Sequence, residues 1–302
     1  MTCYPSPAPF CSITLLWLSH PKMTDSHLTI EFHCESARQA AIAEAVPLLL
    51  SSQDGWLSIK KNDRNTIAYH SELGVYFKSF NRNPVTERLK GVFSGGRAQR
   101  TLKGTRLLQA ANCLAPDILA TGQYSHNDFI IMEALNGPPF LNTLESYLKD
   151  KPGSHWRHDL FRELGFTIGK MHAQGIIHGD LRGNNVVIVP DDDCYRLAMI
   201  DNERTRKAFR FNREQRRNLK QIMLFGPHYI TAAERDMFFD CYFHAFPHSP
   251  SSAQSIVKRT FDEVEKHFQR KGIVQGTPLE PINYWPIIRS LPPLEVSRHR
   301  SG

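Results

Sequence analysis

The sequence predicts an α+β fold in two parts, a small antiparallel sheet with one helix followed by a mainly helical half. Between residues 56 and 132, strand-like apolar runs enclose one helical segment, which gives the order β-β-α-β-β. After Gly137-Pro138-Pro139 the apolar residues recur mostly at helical spacing instead. We interpret this Gly-Pro-Pro segment as a hinge, and we predict domains over residues 23–136 and 137–302.

Two strand pairs account for the predicted sheet. Residues 66–69 and 75–80 flank a turn at residues 71–74, so they predict a hairpin. Residues 118–120 and 129–132 form the second pair around a polar turn. The runs 66–69, 75–80 and 129–132 are rich in β-branched and aromatic side chains.

One helix is predicted within this sheet segment, and a shorter one is predicted before its first strand. Residues 97–113 place Ala98, Leu102, Thr105 and Leu108 on one stripe, and Pro116 follows the helix. A shorter helix over residues 38–50 is expected to end near Pro47, because proline lacks the N–H that a helix interior needs.

The second half combines helices with one hairpin. A short helix is expected over residues 141–148, and a longer one begins at Trp156 and stops at Gly175. Residues 186–189 and 195–200 flank a turn of proline and aspartates, which predicts a hairpin. Thr231 and Glu234 form a capping box that opens a further helix, whereas the proline-rich segment beyond Gly272 favours irregular structure.

Composition bounds the class of protein. The chain has 302 residues, 41% of them hydrophobic, and a formal net charge of +7, which favours an anionic partner. Its six cysteines include no C-x-x-C, which argues against a disulfide framework or a zinc ribbon. No apolar run is long enough to span a bilayer. Since Met23-Thr-Asp-Ser resembles a start, we expect residues 1–22 to be a disordered or mis-annotated extension.

The passage from His178 to Asn185 carries the most chemical information. Asp180 is the candidate base, since a carboxylate near an acceptor hydroxyl can orient it and accept its proton. Asn185 and Asp201 are hard oxygen donors suited to Mg²⁺. The predicted hairpin holds Asn185 at one end of its first strand and Asp201 at the end of its second. Together the three residues supply the groups that phosphoryl transfer requires.

Other polar residues are candidates for nucleotide binding. Lys78, on one face of a strand, would neutralise the α and β phosphates; the alternative is an ordinary exposed lysine. Glu133 follows the apolar strand 129–132 and is a candidate cofactor-binding residue, because the neighbouring backbone is expected to pair with an adenine edge; its side chain need not take part. His178 is expected to fix the loop by hydrogen bonds, and His172 to be structural.

Basic residues crowd the segment after Asp201. Arginine matches the geometry of phosphate and carboxylate groups, so this segment can hold an anionic acceptor. The alternative is a solvated basic helix face. The residues are Arg204, Arg206, Lys207, Arg210, Arg213, Arg216, Arg217 and Lys220.

With these residues, the chain resembles the protein-kinase-like superfamily, and within it the lipopolysaccharide kinase (Kdo/heptose kinase) family. Residues 169–181 match the family's LH-x-x-G-x-x-HGDL run, and Val75-Tyr76-Phe77-Lys78 is similar to its strand-three lysine. The similarity spans roughly Trp56 to Phe246. The resemblance implies a bilobal kinase-like fold, ATP with Mg²⁺ as donor, and a sugar hydroxyl of the lipopolysaccharide inner core as acceptor. It also implies work at the cytoplasmic face of the inner membrane, with peripheral contact through basic residues.

Three positions depart from the kinase pattern. Residues 60–65 stand where a glycine-rich loop would precede Lys78. The helix that begins at Arg97 offers no acid to Lys78, so either Glu87 or another carboxylate substitutes, or this pairing of Lys78 is absent. Asp201-Asn202-Glu203 replaces the D-F-G of protein kinases, so regulation by a phenylalanine flip is not expected.

Two other functions remain open. The H-G-D-L run is shared with aminoglycoside- and choline-type phosphotransferases, although only about a hundred residues follow Asp201 here. The missing glycine loop and helix acid also fit a pseudokinase that binds nucleotide with weak chemistry. A nucleic-acid partner is not expected, because the basic residues lack interleaved aromatic residues on strands.

Overall fold

The structure is a computed structural model that describes residues 11–15, 28–51, 55–81, 96–125, 127–144, 156–191, 194–225 and 230–270. Contacts divide the chain into two compact units. The first contains residues 1–105 and 116–135, and the second contains residues 106–115 and 136–302. In the described ranges, no helix combines the length and apolar character needed to cross a membrane.

Eleven strands and six labelled helices are described. The strands are β1 (Cys11–Leu15), β2 (Leu28–Phe32), β3 (Trp56–Lys61), β4 (Asn65–His70), β5 (Val75–Phe80), β6 (Ile118–Tyr124), β7 (Asn127–Glu133), β8 (Ile176–Ile177), β9 (Val186–Asp191), β10 (Cys194–Met199) and β11 (Arg206–Lys207). The helices are α1 (Ser36–Ser51), α2 (Arg97–Ala110), α3 (Trp156–Ala173), α4 (Phe211–Ile222), α5 (Ala232–Ala245) and α6 (Pro250–Arg270).

A seven-stranded antiparallel sheet organises the first unit, in the order β1-β2-β6-β7-β5-β4-β3. The predicted hairpin is present as β4 and β5, with its turn at residues 71–74. Strands β1 and β2 were not predicted. Strand β1 lies within residues 1–22, the stretch expected to be a disordered or mis-annotated extension, and its backbone pairs with β2 from Cys11↔Phe32 to Leu15↔Leu28.

One helix covers each face of this sheet. On one face, α1 buries Ile42, Val46 and Leu49 against Phe77 and other apolar side chains. On the other face, Ala98 and Leu102 of α2 pack against Phe80, Ile118 and Ile130. The stripe predicted for this second helix, Ala98, Leu102, Thr105 and Leu108, is buried.

The predicted helix ends need correction at two places. Helix α1 does not stop at Pro47 but continues to Ser51. A proline removes one backbone hydrogen bond, and the burial of Val46 and Leu49 on either side outweighs that loss. Helix α2 ends at Ala110 rather than at residue 113, because Asn112 adopts a left-handed conformation with φ 55° and Cys113 N–H bonds back to Leu108 O at 2.9 Å.

Helices α3 and α5 form the centre of the second unit. Gly165 on α3 lies so close to α5 that a Cβ atom there would collide with the carbonyl oxygen of Phe238. A buried ion pair joins the same helices, with Arg157 Nε 2.6 Å from Glu234 Oε1 and both side chains fully buried. The capping box predicted at Thr231 and Glu234 is present at the start of α5.

The segment interpreted as a hinge is fixed to the hairpin β9–β10. A Cβ atom on Gly137 would collide with the carbonyl oxygen of Ile188, and Ile188 N–H donates to Pro138 O at 2.9 Å. Pro139 also forms a bridge with Val187. The glycine is therefore explained by close approach of two backbones within the second unit.

Some predictions lie wholly or partly outside the described residues. These are Glu87, the proline-rich segment beyond Gly272, residues 1–10 and 16–22 of the expected extension, and residues 145–148 of the short helix expected over residues 141–148. The described part of that helix, residues 141–144, is helical.

Candidate active site

The hairpin β9–β10 places Asn185 beside Asp201. Its open end is the pair Met199↔Val186, and one step further Ile200 N–H donates to Asn185 O at 2.9 Å. Asp201 then follows directly. The backbone therefore brings residues 185 and 201 together, although sixteen positions separate them in the sequence.

One side-chain hydrogen bond ties Asp180 to this end of the hairpin, and a second contact holds its carboxylate. Asn185 Nδ2 donates to Asp180 O at 2.8 Å, which closes the loop 180–185 across its short 3-10 turn Gly183–Asn185. Arg182 Nε lies 2.8 Å from Asp180 Oδ1. The arginine holds the carboxylate in one orientation by a charge-assisted hydrogen bond while its own side chain stays 66% exposed.

The His178 side chain connects the loop 180–185 to the backbone just before Asp201. Its Nδ1 accepts from Asp180 N–H at 3.3 Å, and its Nε2 donates to Ile200 O at 3.0 Å. Burial lowers the pKa of His178, and the bond to Ile200 O and the charge of Asp201 oppose this only in part. The ring is therefore neutral. It holds the backbone N–H of Asp180 and the carbonyl of Ile200, the residue before Asp201, at the same time.

Asp201 itself has a left-handed backbone, with φ 61° and ψ 47°. Aspartate tolerates this conformation better than most residues. The chain then enters a 3-10 turn, Asn202–Arg204, where Asn202 Nδ2 donates to Met199 O at 3.1 Å. Asp201 is exposed, whereas the neighbouring Asn202 is buried.

A buried network of polar side chains from α3, α4 and α5 holds the backbone of the catalytic loop at His178. Asn218 of α4 accepts from His178 N–H at 3.0 Å and donates to His178 O at 2.6 Å. His172 Nε2 lies 3.3 Å from the same Asn218 oxygen, and its Nδ1 lies 2.9 Å from the Tyr242 hydroxyl, which accepts from Gln215. Burial lowers the pKa of His172 to about 4, so it is a neutral structural residue, as predicted from its position on the helix.

Several of these residues are not evident from the sequence alone. Arg182, Gln215, Asn218 and Tyr242 carry no motif of their own. A signal exists for two of them, since Gln215 and Asn218 lie on the buried stripe of α4 with Leu219 and Ile222. A polar residue on an apolar stripe requires a hydrogen-bond partner.

Lys78 and Glu133 lie in the first unit and project from opposite faces of its sheet. Lys78 pairs with Ile130, which belongs to the face covered by α2, and its Nζ is 5.3 Å from the Phe80 ring centre. Glu133 pairs with Val75 on the α1 face, where its carboxylate accepts from Arg38 at 3.4 Å. The Glu133 carboxylate and Lys78 ammonium therefore do not meet.

Two backbone N–H groups at Glu133 and Ala134 already have hydrogen-bond partners. Glu133 N–H donates to Asp117 O, and Ala134 N–H donates to Gly74 O. A nucleotide base at this segment would have to use other backbone groups. In place of a glycine-rich loop, β3 and β4 join in a tight turn where Asn62 Oδ1 accepts from the N–H groups of Arg64 and Asn65.

The donor atoms at the hairpin fit a magnesium ion. Because the Asn185 amide nitrogen is bonded to Asp180 O, its oxygen is the atom left for a cation, and Asp201 adds a carboxylate. Within the described ranges, no group of three or more His, Cys, Asp and Glu side chains could hold a metal.

The profile of the lipopolysaccharide kinase (Kdo/WaaP) family matches residues 55–242, more than half of the chain. The chain belongs to this family. Membership confirms the predicted family. The matched range also agrees with the span over which the sequence resembles the family.

A solved structure supports the fold. WaaP in complex with acyl carrier protein matches with a TM-score of 0.56 and 16% identity, over 76% of this chain and 97% of that one. At this identity the match confirms the predicted kinase-like fold class alone.

Curated relatives match a shorter stretch. The EKC/KEOPS complex subunit BUD32 of Encephalitozoon cuniculi is 35% identical over 92 residues, 30% of this chain and 41% of that protein. The KEOPS complex subunit Bud32 of Pyrococcus abyssi is 30% identical over 93 residues, 30% of this chain and 40% of that protein. The chain thus spans about two fifths of the length of these relatives.

Proposed function

We propose that this chain transfers the γ-phosphoryl group of ATP to a sugar hydroxyl of the lipopolysaccharide inner core, on Kdo or heptose. Membership of the Kdo/WaaP family supports the acceptor class. The observation that carries the chemistry is the His178 ring, which joins the Asp180 loop to the backbone that leads into Asp201.

Each residue has a proposed role. Asp180 orients the acceptor hydroxyl and accepts its proton, and Arg182 holds the Asp180 carboxylate in place at 2.8 Å. Asn185 and Asp201 would hold Mg²⁺, which when bound neutralises charge on the nucleotide phosphates. Lys78 contacts the phosphates, and the backbone around Glu133 lies at the adenine.

The proposal extends to location and domain organisation. Because the acceptor is a glycolipid, the chain would work at the cytoplasmic face of the inner membrane, in peripheral contact with it. Residues 23–136 would bind the nucleotide, and residues 137–302 would supply the catalytic loop, the metal-binding residues and the acceptor site.

Two variants separate the proposed roles. Asp180→Ala should abolish transfer and leave Mg²⁺-ATP affinity within about threefold, since a positioned base contributes to the reaction by roughly 10²–10⁴-fold rather than to binding. Asp201→Ala should weaken Mg²⁺-ATP binding itself. Calorimetric titration with and without Mg²⁺, beside a transfer assay, measures both; equal losses of ATP affinity in the two variants would contradict the assignment.

Acceptor panels separate the alternatives. Purified protein would be offered dephosphorylated core oligosaccharide, free amino-sugars and choline. Turnover of the small molecules alone would favour an aminoglycoside- or choline-type phosphotransferase. Mg²⁺-dependent ATP binding without turnover of any acceptor would favour a pseudokinase.

A further inference from the structure

Phe209 is the most exposed large apolar side chain that the described residues contain, at 87% of its surface. It lies between Arg206-Lys207 and Arg210, on the bend that joins β11 to α4. A single exposed apolar residue needs no explanation, but an aromatic ring projecting from a dense set of cations does.

The backbone on both sides of Phe209 is held, so its exposure is built into the local fold. Ala208 N–H donates to Gly175 O at 2.9 Å, next to the β8–β11 pairing. On the other side, Glu214 accepts from Arg210 N–H at 3.4 Å and from Arg206 Nη1 at 2.7 Å. The hydrogen bond from Arg206 lowers the pKa of Glu214, which keeps this anchor charged.

The charge around the ring is strongly positive. Residues 204–220 contain eight basic side chains and one acid, Glu214, so this segment has the same net charge, +7, as the whole chain. We name residues 204–220 the basic segment. On α4 its buried face carries Gln215, Asn218 and Leu219, whereas Arg213 and Arg217 are exposed one helical turn apart.

The basic segment is continuous with the catalytic loop. A Cβ atom on Gly179 would collide with Arg204, so the first residue of the segment packs directly against the residue before Asp180. A surface that engages the basic segment is therefore held beside the loop that would act on its headgroups.

We propose that the basic segment docks on an anionic lipid surface, with Phe209 inserted at the boundary between headgroups and acyl chains. Cations near an anionic surface and one apolar insertion are two weak signals that together give stable peripheral binding. The ring favours a bilayer over a free anion, because a soluble phosphate would not remove Phe209 from water. The inference deepens the proposed function, since it rests on a glycolipid acceptor and names the surface that meets its membrane.

The test is co-sedimentation of the full chain with vesicles of phosphatidylcholine alone or with about one third phosphatidylglycerol. Phe209→Ser should lower the partition coefficient on anionic vesicles about tenfold, the amount expected for losing one large buried apolar group. The double variant Arg213→Ser/Arg217→Ser should lower the partition coefficient on anionic vesicles about tenfold or more, and it should leave the partition coefficient on neutral vesicles unchanged. Leu57→Ser, which removes a 62% exposed leucine from the first unit, is the matched control and should bind like the wild type.

Wild-type partitioning of Phe209→Ser on anionic vesicles would overturn the proposal, as would an equal loss in Leu57→Ser. Transfer to a water-soluble, deacylated core acceptor distinguishes the two proposals. Phe209→Ser should retain this transfer, whereas its absence in the wild type, with vesicle binding intact, would contradict the proposed function and leave the docking surface supported.

Discussion

Replacing Asn218 tests whether α4 holds the catalytic loop. The Asn218 side chain is fully buried and bonds both the N–H and the C=O of His178, at 3.0 and 2.6 Å. Leucine has a similar size but no polar atoms, so Asn218→Leu would leave two buried backbone groups without partners. At about 1–3 kcal/mol for each group, the free energy of unfolding should fall by about 2–6 kcal/mol.

Urea unfolding measures the stability change, and hydrogen exchange of the peptide covering residues 176–186 reports the loop itself. Exchange there should accelerate, because loop opening no longer breaks two buried hydrogen bonds. Asn212→Leu, on the exposed side of the same helix, is the matched control and should change stability by less than about 0.5 kcal/mol. Equal stability of the two variants, with unchanged exchange at residues 176–186, would refute the reasoning.

Two other perturbations test the packing beneath the loop. Burial lowers the pKa of His172 from 6.5 to about 4, so on acidification the unfolded chain protonates this imidazole before the folded chain does. The free energy of unfolding should therefore fall as the pH drops from about 6.5 towards 4, by up to about 3 kcal/mol from this group. His172→Gln should flatten that dependence in urea titrations at several pH values, and an unchanged slope would contradict the assignment. Gly165→Val should cost about 1–3 kcal/mol or more, because its side chain meets the backbone of α5 at Phe238. Ala173→Val at the exposed end of the same helix is the control, and equal melting temperatures in the two variants would count against close α3–α5 packing.

The local elements that position the candidate site could be predicted because their signals are local. Two strand-like runs around a proline and aspartates predict β9–β10, although Pro190 and Asp191 themselves lie in β9. Gly175 follows the end of α3, and its φ of 66° favours glycine. The hairpin then places Asn185 beside Asp201 without further information.

Contacts between residues distant in the sequence could not be predicted from local patterns. Residues 28–32 alternate between buried and exposed, but β2 pairs with β6 across about 90 residues, and no local pattern specifies that partner. The Asn218–His178 bonds likewise join residues 40 positions apart. Pro47 misled the prediction because a helix-breaking residue was weighed without the burial on either side of it.

The most direct test of the central claim is mass spectrometry of a dephosphorylated inner-core glycolipid after incubation with ATP and Mg²⁺. The wild-type chain should add one phosphate to a core sugar, and Asp180→Ala should add none while still binding ATP. A wild-type chain that binds ATP yet leaves the glycolipid mass unchanged, or an Asp180→Ala variant that phosphorylates it at the wild-type rate, would contradict the account.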